Sequence, residues 1–353
     1  MKGNITKFFG QAMTGQGMKN VYQDIVKEAE EVYFLKGIFG FNISNLLKEI
    51  GYHYVKKGLD IEFFYDPLLE NTIQATFVKD INKLFLQSSK PHIDPTQLGT
   101  RDKIVSFYDC LDEEKLSKNG ERLKALSEEA SNWHDKCFDS LRSAIMIHDD
   151  WEAETQRQMN WIALEEQRDE LFDQIFDGML LNKSGTLAHR LFGTLTPNGA
   201  SDHFQNITRH LERRLFIKGL PGTGKSSMLK KLKGEALKRG FDVQMVWCGL
   251  DPNSIDMVII PELKLCIFDA TAPHEYFPDE SRQGDEIVDI AKHCKLTEVE
   301  EKNIDKISKN YRKAINNAIN YAKLYAEAER EIRELIDQST NVSKWKKQAS
   351  LIF

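Results

Sequence analysis

The 353-residue chain is poor in cysteine, and its five thiols, at Cys110, Cys137, Cys248, Cys266 and Cys294, form no CxxC pair. An odd, unpatterned set argues against a disulfide framework and fits free thiols in a reducing compartment. Long hydrophobic runs are missing too. None approaches the roughly 20 residues needed to span a bilayer, and the first thirty residues hold no apolar core of signal-peptide length. These absences point to a cytoplasmic protein without a membrane partner. Nor does charge of one sign dominate: 48 Lys and Arg stand against 54 Asp and Glu, interspersed, for a formal net charge of −6. Nucleic acid is therefore not indicated as a partner. With 41% apolar and 29% charged residues, the composition is that of a folded chain long enough for two ordinary domains.

What the chain does have is an internal repeat. The stretches Val32–Asp66 and Arg214–Cys248 each read as an apolar strand, a KG pair, a Gly-containing loop, a helix with LLK or MLKK, then KKG or KRG and a second strand. Their spacing is about 182 residues, and Gly37 matches Gly219, Gly58 matches Gly240 and His92 matches His274 in the same register. The match extends outward, with FFG at Phe8–Gly10 answering LFG at Leu191–Gly193 and KPHIDP from Lys90 answering APHEYFP from Ala272. The pattern predicts an α/β chain of two tandem three-layer α/β/α halves with mainly parallel sheets, over residues 1–111 and 181–295.

A helical region follows each half. Residues 112–180 are rich in Glu, Lys, Leu and Ala and are expected to form a helical hairpin. Residues 296–353 open with Thr297 and Glu300, a capping-box pair. Ile304, Ile307, Tyr311, Ile315, Ala318, Ala322, Tyr325 and Ile332 then recur at spacings of three, four or seven. Such a stripe buries one helix face, against the chain's own halves or in a dimerising coiled coil.

The second half carries GLPGTGKS, from Gly219 to Ser226, between a strand-like run ending at Lys218 and a helix pattern closed by Gly240. Strand, GxxxxGK[ST] and helix together are the context that a phosphate-cradling loop requires. Gly219, Gly222 and Gly224 let backbone N–H groups approach phosphate oxygens without a side-chain clash, with Leu220, Pro221 and Thr223 completing the cradle. The helix N-terminus, including Ser227, points its unsatisfied donors at the same anion. Lys225 supplies a charge for the β- and γ-phosphates, and Ser226 a hydroxyl for Mg²⁺. The expected ligand is a nucleoside triphosphate with magnesium. No NKxD string follows to read guanine, so ATP is preferred over GTP.

A second metal ligand is expected at the end of a later strand, where Asp269 closes the run Leu263–Phe268 and Asp256 competes for the role. No Glu follows Asp269, which points to slow hydrolysis, another water-orienting group or transfer to another acceptor. His274, with Glu275 beside it, lies just beyond that strand end and is the candidate catalytic group; a structural hydrogen bonder is the plainer reading. In the first half the aligned loop is GIFGFNIS, with Phe41, Asn42 and Ile43 in the places of Thr223, Gly224 and Lys225, and Gln87 in that of Asp269. An Ile cannot neutralise phosphate, so the first half is expected to keep the fold and lose the ligand. Arg101 is its candidate for a residue given in trans to the second site.

The strings PGTGKSSMLKKLKGEALKRGFDV, CGLDPNSIDMVIIPEL and FDATAPHEYFP resemble those of an uncharacterised bacterial family of tandem P-loop ATPases, over nearly the full chain. That resemblance implies two P-loop NTPase-like halves and a cytoplasmic ATP-binding protein with Gly219–Ser226 as its intact site. Family members often keep a lysine-bearing loop in the first half, from which Ile43 departs. Three functions follow as expectations: a slow or partner-stimulated ATPase, a small-molecule or nucleotide kinase, and a nucleotide-gated binding protein whose helical regions meet a protein partner.

Overall fold

In a computed structural model, described over residues 2–88, 94–272 and 275–353, the chain is α/β, with a large mixed sheet and long helices. The first half contributes β1 (Ile5–Phe9), the hairpin β2 (Gln11–Thr14) and β3 (Gly17–Asn20), α1 (Tyr22–Glu28), β4 (Glu31–Lys36), α2 (Asn42–Lys56), β5 (Ile61–Tyr65), β6 (Ile73–Val78), β7 (Lys83–Gln87) and β8 (Asp102–Ser106). A short α3 (Glu113–Lys118), the long α4 (Gly120–Gln156) and α5 (Trp161–Phe176) follow. The second half runs through β9 (Leu187–Leu191), β10 (Gly193–Thr196), β11 (Gly199–Asp202), α6 (Phe204–Thr208), β12 (Arg213–Lys218), α7 (Lys225–Lys238), β13 (Val243–Trp247), β14 (Ile255–Ile260), β15 (Leu265–Asp269) and β16 (Asp285–Asp289). It ends in α8 (Glu298–Gln338) and α9 (Val342–Ala349).

The element order of the first half recurs in the second. Every strand from β1 to β7 begins 182 residues before its counterpart between β9 and β15. Local irregularities recur with it. The pairing of β5 with β6 shifts between Phe64 and Tyr65, and that of β13 with β14 between Val246 and Trp247. Asn82 and Lys264 both take φ +46° at the tight turn into the next strand.

The two sets of strands join into one twelve-stranded sheet, in the order β16-β12-β15-β14-β13-β9-β1-β5-β6-β7-β4-β8. The order is a palindrome about the antiparallel β1–β9 seam, where Phe9 faces Leu191. Six of its eleven pairings are parallel and five antiparallel, because β6 and β14 run against their neighbours and the seam strands oppose each other. Apolar side chains alternate along each strand, so both sheet faces need cover. On β12, Phe216 packs on the α1 and α6 side, and Leu215 and Ile217 on the α7 side.

The helical regions are where the fold departs from the expected arrangement. Residues 112–180 do not close into a two-helix hairpin. Instead α4 lies antiparallel against α8, as the contacts Arg122–Glu331, Cys137–Ala318 and His148–Tyr311 require. Ala318, Ala322 and Ala326 on α8 let the helices approach closely beside Phe138 and Leu141. The capping box at Thr297 and Glu300 starts α8. The arms are also exchanged. Leu164, Leu171, Ile175 and Phe176 of α5 enter the core of the second half, whereas Trp345 of α9 packs 4.5 Å from Phe107 of the first. Among the described residues no helix is long and apolar enough to cross a membrane.

Candidate functional site

Strand β12 delivers the chain into the glycine loop, and α7 leaves it at Lys225. Gly222 and Gly224 take φ of +83° and +92°, a left-handed backbone that costs a residue with a Cβ about 1–2 kcal/mol. The carbonyl oxygen of Leu220 gathers three donors. The Thr223 amide reaches it at 3.2 Å, the Thr223 hydroxyl at 2.7 Å and the Lys225 ammonium at 2.9 Å. The same ammonium donates to the Gly219 carbonyl at 2.6 Å and lies 3.5 Å from an Asp269 carboxylate oxygen. Gly219, Leu220, Thr223 and Lys225 are thus knitted into one rigid turn, with Thr223 fully buried. Pro221 is half-buried in that turn, and Ser227 is exposed in the first turn of α7.

Asp269 reaches Lys225 because β15 lies beside β12, with Asp269 opposite Ile217 at the carboxyl end of both strands. Its other carboxylate oxygen accepts from the amide and hydroxyl of Thr271, which fixes its rotamer. The Ser226 hydroxyl oxygen accepts from the Ile255 amide at 3.1 Å, tying α7 to β14. Ser226 and Asp269 offer only hard oxygen donors, the donor type magnesium takes. Asp256, the competing carboxylate, belongs to another cluster, close enough to perturb Cys248, Lys19 and Tyr311. His274 lies outside the described residues.

Two lysines with no role expected from the sequence bind at strand ends of the second half. Lys218 donates at 2.6 Å to the carbonyls of both Ala270 and Tyr276. From the first half, Lys19 crosses to the second, donates to the Pro252 carbonyl and sits 3.5 Å over the Trp247 ring. Burial pulls its ammonium down to about 8 despite Asp251 and Asp256 nearby. Arg101, the expected contributor in trans, instead lies beside β8 at the far edge of the sheet, where it binds Asp102 and the Val26 carbonyl. Its guanidinium is spent on the first half's own edge, because the buried Asp102 demands a partner.

The helical arms press on the glycines. A methyl at Gly222 would meet the Glu152 carbonyl oxygen of α4 at 2.5 Å, and one at Gly224 would meet Leu164 and Trp161 of α5 at 3.1 Å. The glycine pattern therefore serves helix packing. His148, Asp149 and Glu152 cluster on the same stretch of α4. No protein-family model, curated protein or solved structure matches the chain.

Proposed function

We propose that the chain binds ATP with magnesium at Gly219–Ser226 and hydrolyses it slowly or when a partner engages the helical arms. The observation that carries this reading is the meeting of two left-handed glycines, the Lys225 ammonium and the Asp269 carboxylate at the N-terminus of α7. A glycine turn leading into a helix N-terminus beside a lysine is the arrangement a polyphosphate needs. Lys225 would exchange its loop carbonyls for phosphate oxygens and offset charge as it develops on the leaving side. Ser226 and Asp269 would hold magnesium, which would supply charge neutralisation for the phosphates. Contact of Glu152, Trp161 and Leu164 with the loop supports a coupling of nucleotide state to the arms.

Calorimetry with Mg-ATP and a phosphate-release assay, run on the wild type and Lys225→Ala, test the reading. The variant is expected to lose binding heat and phosphate release together. Equal heats and rates in the two proteins would remove the loop from the chemistry. ADP formed only with an added hydroxyl acceptor would mark a kinase instead. Tight binding without turnover would mark a nucleotide-gated binding protein.

A further inference from the structure

The first-half loop, GIFGFNIS, has lost its lysine, yet its amides hold an anion. Asp337, near the end of α8, accepts from the Phe41 amide at 2.8 Å and the Asn42 amide at 3.3 Å. Helix α2 has no side-chain cap of its own, so a carboxylate nearly 300 residues away caps it. Gly40 makes room: a Cβ there would lie 2.1 Å from the Asp337 carboxylate and 2.4 Å from the Arg333 carbonyl oxygen. Arg333 adds an ion pair to the buried Asp66, at 3.0 Å.

The helix-to-loop contacts of the two halves correspond at this place, except that the Thr223 amide, in the place of Phe41, donates to the Leu220 carbonyl. Gly40 meets the Arg333 carbonyl as Gly222 meets that of Glu152. The Asp112 amide donates to Ser339 as that of Lys295 donates to Gln158, and Asn341 donates to Cys110 as Asn160 donates to His293. Four residues beyond Arg333 stands Asp337, and four beyond Glu152 stands Gln156. The position is therefore a carboxylate over the first-half loop and a neutral, exposed amide at the matching helix position of the second. Likewise Asp66, which anchors Arg333, is replaced 182 residues on by Cys248.

We infer that this helix position decides which loop takes an external phosphate. Asp337 is a built-in anion that occupies the first-half cradle and latches α8 to it. Gln156 leaves the second-half cradle to the ligand, a clause that rests on the ATP-binding reading above. Two carboxylate oxygens on two amides reproduce the contacts of a phosphate at a helix N-terminus, and a fixed carboxylate in either loop repels a second anion. Burial pushes the Asp337 carboxyl above the usual carboxylate range, and the two amides and Arg333 offset only part of that rise.

The test uses the full chain and has two arms. Without nucleotide, amide hydrogen exchange at Phe41 and Asn42 is compared between wild type, Asp337→Ala and Asp337→Asn. Exchange about tenfold faster at these amides is expected in the Ala variant, with a Tm lower by about 2–4 °C. The Asn variant, which keeps the shape, decides the matter if the Ala protein does not fold. Unchanged exchange in the folded variants overturns the inference. In the second arm, Gln156→Asp is expected to protect the Gly224 amide, the counterpart of Asn42, without nucleotide and to weaken Mg-ATP binding by about tenfold or more. The control Gln156→Asn should bind as the wild type does. Full affinity and no new protection in Gln156→Asp would equally overturn it. A wild type that binds no ATP would sink the proposed function alone, since exchange in both arms is read without nucleotide.

Discussion

At the scale of single residues, charge and backbone conformation are matched closely to what surrounds them. His203 is an example outside the loop. Its ring stacks 4.9 Å from Phe9 and lies tilted 5.0 Å from Tyr65, and its Nε2 is buried without a hydrogen-bond partner among the described residues. Burial, helped by Lys7 and opposed by Asp202, pulls its imidazole down to about 4. The unfolded chain, with an ordinary value near 6.5, takes up that proton first. The stability His203 contributes is thus complete above about pH 6.5 and is lost as the pH falls toward 4. His203→Phe keeps the stack and removes the titration. Urea unfolding at a series of pH values should give a shallower acid loss for the variant in that window, and parallel curves would refute the assignment.

Elements show which residues act on the loop through packing and which are free of it. Helix α7 carries Gly234 in its interior, where an added methyl would find no atom within 4 Å and φ is not positive. Gly234→Ala should therefore stabilise the protein by about 0.5–1 kcal/mol, seen as a higher midpoint in urea with an unchanged slope. Gly222 and Gly224 in the loop before α7 are the opposite case, since both the backbone and the α4–α5 elbow exclude a Cβ. The strand-loop-helix order and the start of α8 were legible because strand alternation and capping are local patterns. The partner of the α8 stripe was not: periodicity says that a face is buried, never against what. That partner is α4, more than 180 residues away in sequence for the Cys137–Ala318 contact.

The whole molecule is held at a seam between its halves. Only Phe9 and Leu191 pair across β1 and β9, so side chains supply the rest. Arg190 of β9 is almost fully buried and binds Glu62 and Glu28 of the first half, each at 2.8 Å. Glu62 is as deeply buried as Arg190, so removing the cation leaves a buried carboxylate with only the Gln244 amide at 3.4 Å and Lys79 at 4.0 Å. Arg190→Met should cost about 3–5 kcal/mol in chemical denaturation, and Arg190→Met with Glu62→Gln should recover part of it. No recovery would mean that the guanidinium acts through its packing on Phe8 and Phe64 instead.

Sequence alone determined what depends on neighbours along the chain: the repeat at a spacing of about 182 residues, the glycine loop with Lys225, the strand end at Asp269, and the loss of lysine at Ile43. Tertiary structure decided what depends on contacts between distant segments. It joined two six-stranded sets into one sheet, exchanged the helical arms and brought Lys19 rather than Arg101 across. It also set Asp337 on the amides of Phe41 and Asn42. A carboxylate's chemistry is written in its own codon, but which anion site it fills is set only when the packed helices place it there.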